Sequence, residues 1–136
     1  MKGILRAASI TLSSGHMSQG ASTITQQLIK NNVFNAYNES DIEKIKRKVQ
    51  EQYLAIKLET VMSKKSILEN YLNTINLGNG YYGVQAAAKG YFNKDVSELS
   101  LSECAVIASI TKSPTGLNPI RHADRNRDRQ SQVLLN

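Results

Sequence analysis

The pattern Ser/Thr-x-x-Glu/Gln recurs ahead of apolar-periodic stretches, at Thr23 to Gln26, Ser40 to Glu43 and Ser100 to Glu103, and constrains the fold more than any other feature of this chain. In such a capping box the hydroxyl accepts from the N–H three residues on. The Glu or Gln side chain reaches back to the cap's own N–H, so each box marks a helix start. Beyond the boxes, apolar residues fall at spacings of three and four, and no stretch alternates apolar with polar long enough to make a strand. The chain is read as all-α.

The spacing predicts helices at about 3–13 and 23–33, the second presented by a Ser/Gly-rich loop, Leu12 to Gly20. A long helix starts at Ser40, and its stripe Ile42, Ile45, Val49, Tyr53 and Ile56 is expected to be its core face. The next carries Ile67, Leu68, Tyr71, Leu72 and Ile75, with Gly78 expected to stop it. The loop Gly78-Asn-Gly-Tyr-Tyr-Gly83 leads into a short helix at about 84–92. The helix capped by Ser100 is apolar on most sides from Cys104 to Ile110, so it is expected to be central and to end ahead of Pro114. Thr115 to Pro119 reads as a loop, and Gln132-Val-Leu-Leu135 as a helical pattern still running at the end. The 136 residues are expected to form a single domain.

Apolar residues make up 40% and charged ones 21%, a balance that excludes wholesale disorder. Seventeen basic against eleven acidic residues give a net charge of +6, which suggests an anionic partner: nucleic acid, a membrane surface, or a phosphorylated or pyrophosphorylated substrate. The lone Cys104 excludes an internal disulfide and reads as a small apolar residue on a buried helix. No apolar run approaches the roughly 20 residues of a membrane span, and Arg6 interrupts the first apolar residues too early for a signal peptide. His16 and His122 lack the spacing of metal ligands, so no zinc site is expected.

The run Gly20-Ala-Ser-Thr-Ile-Thr-Gln-Gln-Leu-Ile-Lys30 packs Ser22, Thr23, Gln26, Gln27 and Lys30 into the start of one helix. There the unpaired N–H groups and positive dipole end suit an anion. Capping and ordinary helix polarity are the plainer explanation of the same residues. On the long helix Arg47 and Glu51 fall opposite the main apolar stripe, on a side that also carries Leu54, Leu58 and Val61. They are expected to begin a second, partly covered face; the plainer alternative is a surface i,i+4 pair worth about a few tenths of a kcal/mol. Ser22 has no Gly-x-Ser-x-Gly elbow, and the glycines at 78, 80 and 83 make no phosphate loop.

Taken together, Gly20 to Gln27 with Lys30-Asn31, then Arg47-Lys-Val-Gln-Glu51, then Lys65-Ser-Ile-Leu-Glu-Asn-Tyr-Leu-Asn73 resemble the peptidoglycan glycosyltransferase domain of class A penicillin-binding proteins. Gly78 to Gly83, Ala86 to Phe92, Leu99 to Ala105 and Pro114 to Pro119 resemble that family's later segments in the same order. The resemblance implies a lysozyme-like helical fold that polymerises a lipid-linked disaccharide-pentapeptide (lipid II) into a growing glycan strand at the outer face of the bacterial cytoplasmic membrane. The transfer inverts the sugar, and undecaprenyl pyrophosphate leaves. By the same resemblance, Lys30, Arg47 and Lys48 would stabilise the departing charge, Ser22 and Gln27 would hydrogen-bond pyrophosphate or sugar, and Thr23, Gln26 and Asn31 would complete the substrate-binding segment. Glu51 would act catalytically beside the leaving group, orienting a cation, water or metal. No resident cofactor is expected, though a divalent cation at the pyrophosphate is compatible, and nucleic acid is not an expected partner. Glu69, Tyr71 and Asn73 would mainly support the cleft.

One departure stands out. The family's general-base glutamate lies in a Glu-Asp motif upstream of a segment like Gly3-Ile-Leu-Arg-Ala7, and here no Glu or Asp precedes Glu39. The chain is accordingly expected to lack N-terminal helices of the domain and to be inactive alone. Two rival functions remain: a lysozyme-like glycan-cleaving enzyme, which needs its own carboxylate, commonly one of a pair, and a basic helical module for anions, which lacks an aromatic platform or a DNA-binding motif.

Overall fold

A computed structural model describes residues 22–34 and 38–135, so the helix expected at 3–13 and the loop at 12–20 lie outside the described residues. Among the described residues there are six α-helices and one 3-10 turn and no strand, only an isolated bridge between Asn76 and Tyr82. The chain forms two compact units, Met1–Ser63 and Lys64–Asn136.

The described part of the first unit is a helix pair, α1 (Ile24–Val33) and α2 (Asp41–Val61). Both start where the capping boxes predict, with Thr23 and Gln26 closing one box and Ser40 and Glu43 the other. Each box satisfies two N–H groups that a helix start otherwise leaves without partners. Leu28 and Ile29 of α1 are buried, as is Ala55 of α2. Thr25 donates its hydroxyl to Glu59 at 2.6 Å, tying the first turn of α1 to the end of α2.

The expected core face of α2 is corrected by its exposure. Ile42, Ile45, Val49, Tyr53 and Ile56 are all exposed, while Arg47, Glu51 and Ala55 are buried. Periodicity identifies an apolar face but not the one that a neighbour covers. Lys48, Glu51, Ala55 and Glu59 follow one another at helical spacing, and this is the side that meets α1 through Ser22 and Thr25.

The second unit contains α3 (Lys64–Thr74), α4 (Val84–Phe92), a 3-10 turn (Val96–Glu98), α5 (Leu101–Ile110) and α6 (Ala123–Leu134). Its core joins Ile67, Tyr71, Ile75, Leu77, Ala87, Ala88, Ala105, Ile107 and Ile110. Helix α5 packs on both α4 and α6. It is not apolar-buried all round, because Leu101, Cys104 and Ala108, spaced three and four apart, face outward. The reading of Cys104 as buried is therefore corrected: the thiol is exposed. Leu68 and Leu72 of α3 are likewise exposed, whereas Ile67 and Tyr71 are buried.

Helix α3 ends at Thr74, four residues before its expected stop. Gly78, at φ +80°, instead opens a turn in which the Tyr81 N–H donates to its carbonyl at 2.8 Å. The loop closes at Gly83, where a Cβ would lie 2.4 Å from the Asn73 carbonyl oxygen and φ is +83°, so only glycine fits. Tyr91 secures the loop from α4, donating its hydroxyl to the Leu77 carbonyl at 2.7 Å and meeting Tyr81 edge-on at 5.1 Å. Tyr71 is part of the core, while Glu69 and Asn73 are exposed.

Candidate functional site

The Ser40 cap sets the start of α2, so Arg47 and Glu51, one turn apart, arrive on the face toward α1. Glu51 is 1% exposed, a carboxylate as buried as any side chain of a core. Its two oxygens are taken by cations: Arg47 Nη1 donates to Oε1, and Lys48 Nζ donates to Oε2 at 2.7 Å. Lys48 Nζ also donates to the Ser22 hydroxyl at 3.2 Å, which brings the residue preceding the α1 cap into the same cluster.

Arg47 is gripped from a second side. Its Nε lies 2.8 Å from both carboxylate oxygens of Glu39, in the loop before α2. This bond, and after it the bonds and charge of Glu51, raise the Arg47 pKa despite burial. In return the Glu39 carboxyl is held below its usual range, chiefly by the hydrogen bond from Arg47, with the charge of Lys30 acting in the same direction. Both shifts favour the charged forms, as a desolvated ion cluster requires if it is to persist.

The residues expected to bind substrate divide into two groups. Ser22, Arg47, Lys48 and Glu51 are linked by direct contacts, while Lys30, half-buried in the last turn of α1, makes a minor contribution to lowering the Glu39 pKa. Gln27 donates to the Ser22 carbonyl at 3.3 Å and so steadies the segment that carries the hydroxyl. Thr23 and Gln26 are engaged in the capping box, with Gln26 buried, and Asn31 is exposed on α1. The surface-pair alternative for Arg47 and Glu51 does not hold, since both are buried.

One participant escaped the sequence, as did a contact that holds the helix pair. Glu39 sits in a loop, where no helical period singles it out, and the Thr25–Glu59 bond joins residues 34 apart. An open hollow of about 330 Å³ lies beside the cluster, lined by Phe34, Asn38, Glu39, Lys46, Arg47 and Gln50 among others. Chemically, the arrangement places two prearranged cations, Arg47 and Lys48, and the Ser22 hydroxyl around two carboxylates, Glu51 and Glu39. Among the described residues no group of three His, Cys, Asp or Glu side chains could hold a metal ion.

A family model described as Transglycosylase matches residues 1–136. Penicillin-binding protein 1A of Vibrio cholerae is 51% identical over 132 residues, 97% of this chain and 15% of that protein. The protein of the same name from Escherichia coli is 50% identical over the same share of each. That of Clostridium novyi is 56% identical over 101 residues, 74% of this chain and 12% of the relative. The chain thus spans about 15% of the length of the first two relatives.

Proposed function

Because this chain belongs to the transglycosylase family, we propose that its helix pair forms the leaving-group side of a peptidoglycan glycosyltransferase site. In the reaction a sugar hydroxyl of the acceptor attacks the anomeric carbon of the growing strand. The bond from that carbon to the lipid pyrophosphate breaks, and the pyrophosphate departs with the electron pair. Charge accumulates on its oxygens, so cations already in place lower the barrier without having to reorganise. Arg47 and Lys48, held by the buried Glu51, are such cations, with Lys30 near and Ser22 offering a hydroxyl. The observation that carries this reading is Lys48 touching both Ser22 and Glu51, which unites the two segments that bear the polar residues.

The acceptor's proton needs a base elsewhere. Glu51 has both oxygens engaged by cations, Glu39 is engaged by Arg47, and residues 1–38 contain no Asp or Glu. No carboxylate of the cluster is free to take that proton, so on this reading the 136-residue chain binds the pyrophosphate-bearing substrate without turning it over. The described residues do not fit a metal cage, and no step here runs through one. A lipid-linked substrate places the working protein at the outer face of the cytoplasmic membrane, although no helix of the described chain is long and apolar enough to cross one.

The test is binding of detergent-solubilised lipid-linked disaccharide-pentapeptide to the purified chain, with glycan polymer assayed alongside. Arg47→Ala and Lys48→Ala should each weaken binding about tenfold, the worth of one charge-assisted hydrogen bond. Unchanged binding in both variants would remove the leaving-group assignment, and polymer made by the chain alone would refute the absence of turnover.

A further inference from the structure

We propose that Glu39 is a positioning residue for Arg47, fixing the plane of its guanidinium so that the anion meets it in one orientation. A guanidinium is a planar fork with separate donor edges, and a single anchor leaves it free to swing about that contact. Here two different nitrogens are anchored to two different carboxylates: Nε to Glu39 and Nη1 to Glu51. Glu51 belongs to the same helix one turn on, but Glu39 reaches Arg47 from outside the helix, so the two anchors are independent in the chain. Both side chains are largely withdrawn from water, Arg47 10% and Glu39 13% exposed, which keeps the bond from being diluted as surface pairs are. The loop backbone is committed as well, for Asn38 adopts φ +56° immediately before Glu39 and Ser40 caps α2 immediately after.

The proposal rests on the leaving-group reading only for the identity of the anion. Position and charge predict opposite signs, which makes it testable. If Glu39 were merely a nearby negative charge, removing it would tighten anion binding. If it aims Arg47, removing it weakens binding even though the site becomes more positive.

Inorganic pyrophosphate is the probe, titrated into the 136-residue chain by calorimetry, with helix content checked by circular dichroism. Glu39→Ala should weaken binding about tenfold and Glu39→Gln, which keeps one acceptor oxygen, about threefold. In an Arg47→Ala background Glu39→Ala should change nothing, because the effect passes through Arg47. Tighter or unchanged binding in Glu39→Ala overturns the proposal, and so does an equal loss in both backgrounds, which would mark a general structural role. The Arg47 Nε–H resonance, assigned by its disappearance in Arg47→Lys, gives a reading without ligand. It should move in Glu39→Gln, and if it does not, the proposal is wrong whatever pyrophosphate does. If it moves while the wild-type chain binds no pyrophosphate, the clamp stands and the leaving-group reading fails.

Discussion

Glu51 shows how far burial changes the meaning of one residue. Its spacing from Arg47 leaves a surface pair open as the plainer alternative to a partly covered face, yet at 1% exposure it is a charge removed from water and sustained by its two cations. Such clusters seldom add much stability over an apolar replacement of the whole group, but removing one member leaves the others uncompensated. Glu51→Ala should therefore destabilise the first unit by about 3–5 kcal/mol in urea unfolding followed by circular dichroism. A loss below about 1 kcal/mol would mean that the charges are solvated as surface pairs are. Glu39 illustrates the opposite difficulty. Its role depends on a loop bringing it back to Arg47, and nothing in its immediate neighbours announces that.

At the scale of elements, what is local was legible. The boxes at Thr23, Ser40 and Ser100 are each made within four residues, and all three close as the sequence implies. A fourth, Asp95 with Glu98, caps the 3-10 turn. What depends on neighbours was not legible: the Ile42 to Ile56 stripe has the period of a core face and stays exposed, and Cys104 lies among apolar residues yet faces outward. Glu103 carries a consequence for acid stability. It closes the Ser100 box and pairs with Lys94 at 2.7 Å, and chiefly through the Lys94 bond its pKa falls from 4.5 to about 2. A carboxylate depressed on folding contributes its stability above the unfolded value, and that contribution drains as pH falls toward the folded one. The second unit should thus lose stability between pH 4.5 and about 2, and Glu103→Gln should flatten that part of its acid-unfolding profile. An unaltered profile would show the Lys94 pair to be absent in solution.

At the scale of the whole molecule, the family was legible because several motifs stand in one order along the chain, a condition that no single motif meets by chance. The three-dimensional site was only partly so. Sequence could name Ser22, Lys30, Arg47, Lys48 and Glu51, but not that Lys48 would be the hinge between them, since its contact with Ser22 spans 26 residues. That span has a thermodynamic consequence. The bonds among Glu39, Arg47, Lys48 and Glu51 lie within residues 39–51, but Ser22 joins them only while α1 lies on α2, so docking of the helices completes the site. Any anion that binds there must then act as a ligand of the folded pair alone and shift its unfolding by mass action. Pyrophosphate at about a hundred times its dissociation constant should stabilise the first unit by about 2.7 kcal/mol, with no comparable effect on the second. Differential melting of the two units with and without the anion would display this, and equal shifts in both would mean that binding is indifferent to the fold that creates the cluster.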